Sequence, residues 1–283
     1  MGESTESNPL AQAHATPFLR EFLGGPLLSG LAQNSPQLLF KAIDAQLGMP
    51  GLPQSATGQT SLYTGRNAPA WLGRHLTGFA NGSLRVLIEE SGIFRQVLDR
   101  GGVPTHANLY SPAYFEAIEK RRIRYSVGTL VGLTAGVPFR MPEAYLRGEA
   151  ISWDITGFSL TNRGVAAPMI TEQEAGQRLA HIGSQHHLTL FECYLPDFAG
   201  HTQDMAQALE VLAMVDAFLA SVIAHLSPDV TLVVSSDHGN IENLASKSHT
   251  LNPVPLLVVG PQAPAFQDII DITGLTPQII QAL

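Results

Sequence analysis

Two aspartates and three histidines lie beside short apolar runs in the C-terminal half of the chain, and their types suit one kind of chemistry. Asp197 and His201 belong to Pro196-Asp197-Phe198-Ala199-Gly200-His201. Asp237 and His238 belong to Ser236-Asp237-His238-Gly239-Asn240, and His249 opens His249-Thr250-Leu251-Asn252-Pro253-Val254-Pro255. Carboxylate oxygen and neutral imidazole nitrogen are the usual donors to zinc or manganese. Asp197 and His201 are four residues apart, so a helical turn there puts both on one face. Taken singly, each group has an ordinary explanation: Asp237 as a helix N-cap followed by a surface histidine, for example. Their shared placement at the ends of apolar runs makes them a candidate metal-binding set.

A hydroxyl with a second kind of reactivity precedes them. In Pro53-Gln54-Ser55-Ala56-Thr57-Gly58-Gln59-Thr60-Ser61, continuing to Arg66, a serine opens a stretch of small residues with helical character. The start of a helix attracts anions through its free N–H groups and its dipole. A metal close to such a serine lowers the hydroxyl pKa and turns it into a nucleophile. Without the metal ligands, Ser55 reads as a simple cap; Thr57 is the alternative nucleophile.

The elements that must position these groups follow from the apolar pattern. Leu188–Tyr194, Val230–Ser235 and Val254–Val259 are short and nearly continuous in apolar residues, as strands covered on both faces are. Residues 203–226 carry apolar positions every three or four residues, which predicts a long helix between the first two strands. Strand, helix, strand predicts an α/β fold: a mostly parallel sheet flanked by helices, with ligands at the strand ends. Upstream, helical patterns cover about 17–24, 36–47 and 83–99, the last broken at Gly92, and Val103–Leu109 is a candidate strand. Residues 111–165 differ in character and contain Lys120-Arg121-Arg122-Ile123-Arg124. This stretch reads as a small inserted cap dividing a core domain of residues 1–110 and 166–283.

Composition removes several classes. The 283 residues include 16 basic and 24 acidic ones, a net charge of −8, which argues against a general nucleic-acid binder. Hydrophobic residues at 45% and charged residues at 14% exclude disorder over most of the length. A single cysteine, Cys193, excludes an intramolecular disulfide framework and a cysteine-based zinc site. No unbroken run of about 18 apolar residues occurs, so no membrane span is expected. The first residues have neither a basic nor an apolar leader segment, and the expected location is cytoplasmic.

Through Pro196–Thr202, Ser236–Glu242 and His249–Pro255, in that order, and through residues 55–66, the sequence resembles the alkaline phosphatase superfamily of two-metal phosphoryl- and sulfuryl-transfer enzymes. Within it, the sequence looks most like cofactor-independent phosphoglycerate mutase and its short metalloenzyme relatives. The resemblance implies one metal at Asp197, His201 and His249 and a second at Asp237 and His238. It implies Ser55 as the nucleophile, ten residues before Gly65. It also implies two divalent ions, Mn or Zn in so histidine-rich a set, bracketing the transferred group of a small phosphorylated substrate. Phosphomutase or phosphatase chemistry is then expected. The alternatives are a catalytically impaired metal- or phosphate-binding relative, or a sulfatase or phosphodiesterase.

Two departures qualify that expectation. The family begins with a strand ending in Asp-Gly, whose Asp is the remaining ligand of the second metal, and no Asp precedes Glu3 here. A translation start placed too far downstream, or a genuine loss, accounts for this; Glu3 or Glu6 is a possible substitute. The inserted region is also much smaller than in the mutases. Arg121, Arg122 and Arg124 are candidate clamps on a substrate phosphate, with a solvated helix face as the plainer reading. Lys247 is a candidate partner for an anionic oxygen, while Asn240 and Glu242 are expected to support the ligands from behind.

Overall fold

The computed structural model describes residues 1–283. Six strands form two sheets: β1 (Gln33–Ser35), β2 (Leu38–Ile43), β3 (Pro104–His106), β4 (Leu188–Leu190), β5 (Leu232–Ser235) and β6 (Val254–Val259). Twelve helices surround them. The first eight are α1 (Pro17–Phe22), α2 (Ser55–Thr64), α3 (Ala68–Leu72), α4 (Gly82–Ser91), α5 (Ile93–Asp99), α6 (Pro112–Glu119), α7 (Val127–Ala135) and α8 (Pro142–Leu146). The last four are α9 (Glu172–Gly183), α10 (Leu195–Thr202), α11 (Met205–Ala224) and α12 (Leu275–Ala282).

The larger sheet has the order β1-β2-β6-β5, and every neighbouring pair in it is antiparallel. Alternation explains its apolar strands. Leu39, Ile43, Val254, Leu256 and Val258 point into one core with Phe266, Ile272 and Leu275, whereas Phe40 and Leu257 point into another with Leu219 and Val222 of α11. The helix expected over 36–47 does not form: Leu38–Ile43 is strand β2, held between β1 and β6, and its apolar residues enter cores on both faces, so it lacks the plain alternation of a half-exposed strand.

The expectation of a mostly parallel sheet is not met. Only β3 and β4 pair in parallel, in a separate two-stranded sheet, joined by the long crossover that contains α6–α9. The reason lies in the connections. Parallel neighbours need a crossover, usually a helix. Residues 236–253 contain none, so the chain reverses and β6 returns antiparallel to β5, with Ser235 opposite Leu256. The β4–α11–β5 unit has its helix, but its two strands belong to different sheets. The reversal has a consequence for the site: the end of β5 and the approach to β6 lie at one rim.

α11 has the length and hydropathy of a membrane-crossing helix, which a search for an unbroken apolar run overlooks. It packs along α9 and against α1, with Phe218, Leu219 and Val222 inside the core. The break at Gly92 separates α4 from α5. Residues 111–165 contribute Val127, Leu130 and Val131 of α7 to a core shared with α4 and α5, and Tyr145, Ile151 and Leu160 to the core beneath the sheet.

Candidate metal centre

α10 begins with Pro196 in its first turn, where the missing N–H costs nothing, and runs through Asp197 and His201. The turn brings their side chains together, with His201 Nε2 3.4 Å from Asp197 Oδ1. His249 arrives from the loop before β6 and places its Nε2 3.7 Å from the same oxygen. The ligand atoms of these three residues all lie within 4.8 Å of one another.

The tautomers of two imidazoles follow from their backbone partners. His201 Nδ1 is 2.8 Å or less from a carbonyl, that of Lys247 at 2.6 Å, and His249 Nδ1 is 2.8 Å from the Pro53 carbonyl. A carbonyl only accepts, so Nδ1 donates in both rings and Nε2 faces the cluster, carrying the lone pair in the neutral form. Burial, and then the neighbouring His238, lower the pKa of His249, which keeps its ring neutral and a donor to a cation. A tetrahedral ion with bonds of 2.0–2.1 Å requires ligand–ligand edges of about 3.4 Å. The observed oxygen-to-nitrogen separations of 3.4 and 3.7 Å fit that requirement. Two imidazoles and one carboxylate, with no Lys or Arg paired to that carboxylate, make a donor set that suits a divalent ion.

The second pair lies deeper. His238 and Asp237 follow directly after β5, and the His238 side chain is only 4% exposed. Its Nε2 lies 3.6 Å from Asp237 Oδ2 and 3.9 Å from Asp197 Oδ1, between the two halves. Its ring stacks on that of His249 with centroids 3.6 Å apart, and its buried Nδ1 has no hydrogen-bond partner. Neither expected substitute adds a third ligand to this half: Glu3 is exposed and accepts from Ser29, and Glu6 is exposed.

Ser55 opens α2 and places its Oγ 3.0 Å from His238 Nε2. The N-cap position belongs to Gln54, and the Ser55 hydroxyl turns toward the histidine instead of capping the helix. Thr57 is fully buried and committed elsewhere, donating to the Gln54 carbonyl and accepting from the Leu76 amide. α2 approaches the Asp237 backbone so closely that a Cβ on Gly58 would collide with the Asp237 carbonyl.

Supporting contacts surround the set. Asn240 Nδ2 donates to Asp197 Oδ1 at 2.7 Å and to the Asp197 carbonyl at 3.1 Å. Glu242 accepts from the Asn240 amide, from Asn252 Nδ2 and from Thr250 Oγ1, tying the 237–242 loop to the 249–253 loop. Gln59 Nε2 donates to Asp237 Oδ2 at 3.1 Å. Sequence reasoning missed Gln59; its signal was its position one turn after Ser55 on the same helix. The Pro53 carbonyl was invisible in the sequence because backbone groups carry no residue signature.

The remaining candidates sit differently. Lys247 reaches the cluster through its main-chain carbonyl on His201, and its side chain is exposed. Arg121, Arg122 and Arg124 are exposed just beyond α6, and none bonds to a ligand residue.

The profile of the metalloenzyme superfamily matches residues 105–274, more than half of the chain and all five metal-ligand candidates. The chain belongs to the metalloenzyme superfamily. Ser55 lies outside the matched region. The 2,3-bisphosphoglycerate-independent phosphoglycerate mutase of Desulforudis audaxviator is 42% identical over 72 residues, 23% of this chain and 14% of that protein. The corresponding protein of Ruegeria pomeroyi is 34% identical over 126 residues, 41% of this chain and 24% of that protein. The chain therefore matches less than a quarter of the length of either mutase. Among solved structures, the cold-active alkaline phosphatase of a psychrophilic Shewanella superposes with a TM-score of 0.53 at 13% identity, covering 99% of this chain and 98% of that one. The chain thus has a mixed α/β, alkaline phosphatase-like fold.

Proposed function

We propose that this metalloenzyme transfers a phosphoryl group from a small phosphoester, with Ser55 as the nucleophile and two divalent cations, Mn or Zn, as cofactors. The observation that carries the reading is the contact of Ser55 Oγ with His238 Nε2 at 3.0 Å, beside the Asp197, His201 and His249 cluster. Asp197, His201 and His249 would hold one cation, and Asp237 and His238 the other. Bound there, divalent ions stabilise charge on the phosphoryl oxygens and lower the pKa of a nearby hydroxyl.

The chain's own groups account for the rest. The rigid start of α2 aims the Ser55 oxygen, and the helix dipole at that end favours an anionic group in front of it. Ser55 Oγ would give its proton to water and form a bond to phosphorus while the bond to the leaving oxygen breaks, and the leaving oxygen would take a proton from water, giving a phosphoserine and the free alcohol. Water then releases inorganic phosphate, or a second hydroxyl of the substrate takes the group and the enzyme acts as a mutase. Gln59 and Asn240 hold the Asp237 and Asp197 carboxylates in place throughout. Arg121, Arg122 and Arg124 are offered as a clamp on the substrate phosphate. Changing all three to Ala should raise KM, and an unchanged KM assigns them to a solvated face.

The test is turnover of p-nitrophenyl phosphate with added Mn²⁺ or Zn²⁺, comparing the wild type with Ser55→Ala. The expected loss is at least about 10³-fold, since removal of a covalent nucleophile acts on that scale or above. Equal rates would remove Ser55 from the chemistry. Two donors in place of three at Asp237 and His238 favour a second reading, a relative that binds metal or phosphate without turnover. Tight cation binding with no wild-type turnover would select it. Stronger inhibition by sulfate than by phosphate would instead point to sulfuryl transfer.

A further inference from the structure

α2 carries a polar seam with a one-turn repeat. Ser55, Gln59 and Tyr63 are spaced by four and lie along one side of the helix. Ser55 meets His238, Gln59 meets Asp237, and Tyr63 Oη donates to Glu192 Oε1 at 2.8 Å. The last of these contacts has no part in the chemistry above.

Glu192 is a buried acid, 7% exposed, in an otherwise apolar stretch just after β4. Its second oxygen, Oε2, accepts from Tyr194 Oη, also at 2.8 Å, and Tyr194 is the residue from which α10 starts. Its peptide group is held on both sides by Asn108, which accepts from its amide and donates to its carbonyl. The carboxylate lies against α7 in space left open by Gly128, where any Cβ would collide with Oε2. No Lys or Arg pairs with it, so the two phenols are its side-chain partners. Burial raises the pKa of Glu192 and of both tyrosines, which keeps the phenols protonated and donating.

A buried acid without a cation is costly, and such groups persist where the contact is needed for geometry. We propose that Glu192 is a positioning residue for the metal centre, clamping Tyr63 of α2 with one oxygen and Tyr194 at the head of α10 with the other. The helix carrying Ser55 is thereby fixed against the helix carrying Asp197 and His201. The inference rests on the reading of those residues as the working set. The lever is long: Tyr63 lies eight residues, about 12 Å, from Ser55 along the helix. A tilt of about 5° over that length moves Ser55 by about 1 Å, a misplacement that costs on the order of 10²-fold in rate.

The experiment uses the full chain and two variants, Tyr63→Phe and Glu192→Gln. Mn²⁺ is titrated calorimetrically, p-nitrophenyl phosphate turnover is followed with kcat and KM resolved, and thermal unfolding is recorded alongside. Each variant is expected to weaken Mn²⁺ binding about tenfold, as loss of outer support for metal ligands does. Each should also lower kcat by 10- to 100-fold with KM changed less than twofold, on the order expected for misplacement. The double variant should be no worse than Glu192→Gln, because the two groups form one contact. Mn²⁺ affinity and kcat within twofold of wild type, with only the unfolding temperature lowered, would overturn the proposal. Should Glu192→Gln fail to fold, Tyr63→Phe decides by itself. A wild type that binds Mn²⁺ but does not turn over the ester refutes the catalytic reading alone, and the titration still tests the clamp.

Discussion

The two halves of the centre are built differently. On the outer side, Asp197, His201 and His249 converge within 4.8 Å, with side chains of Asp197 and His201 33% and 40% exposed. Both outer imidazoles have their Nδ1 fixed by backbone carbonyls, so the donor atoms are aimed before any ion arrives. On the inner side, Asp237 and His238 are only 17% and 4% exposed, and His238 Nδ1 has no partner to orient it. The inner half has two donors and a hydroxyl where the outer has three donors. On the proposed reading, cation capture and nucleophile placement are separate tasks. The outer half has the donor geometry for the first, and the inner half brings Ser55 to His238 for the second.

Exchanging the damage between the halves is the strongest way to break that contrast. His201→Ala should weaken the tightly held cation by at least about 100-fold, since even outer partners of metal ligands cost 10- to 100-fold. Asp237→Asn should keep that cation and lose turnover instead. Ion content by plasma mass spectrometry beside kcat checks both, and the reverse outcome would invert the assignment of the halves.

A histidine outside both halves gives a control of nearly equal size. His106 is fully buried among Phe94, Tyr110 and Phe139, and neither ring nitrogen has a partner. Burial lowers its pKa from 6.5 to about 4. Between those values the unfolded chain carries a proton that the folded chain refuses, so stability is lost as pH falls through that window, by up to ~3 kcal/mol. Urea unfolding at pH 6.5 and at pH 4 should show that loss reduced in His106→Leu; an unchanged slope would mean that His106 is not the group responsible.

Smaller effects sharpen the outer half. Asn240→Ala removes the donor on Asp197 and should weaken Mn²⁺ binding about tenfold by calorimetry. Lys247→Ala should leave affinity within twofold, because only its backbone carbonyl touches His201. A large loss there would bring the ammonium group into the site.

The candidate ligands were legible in the sequence because each borders an apolar run, and an Asp-x-x-x-His spacing needs only one helical turn. Strand direction was not. Short apolar runs carry no orientation, and only the helix-free stretch at 236–253 announces that β6 runs back along β5. The 36–47 segment reads as helical because β2 buries Leu39 and Phe40 in cores on opposite faces and so lacks strict alternation. Glu192 left a signal, an acid inside Leu188–Tyr194, but its partner Tyr63 is 129 residues away and no local pattern joins them.

The most direct measurement is the divalent-metal content of the purified protein and of Asp197→Ala after equilibration with Mn²⁺ or Zn²⁺ and removal of free ions. The account predicts about one tightly held ion per chain in the wild type, retained by the preorganised outer half, and almost none in the variant. An ion-free wild type, or equal content in both proteins, would contradict it.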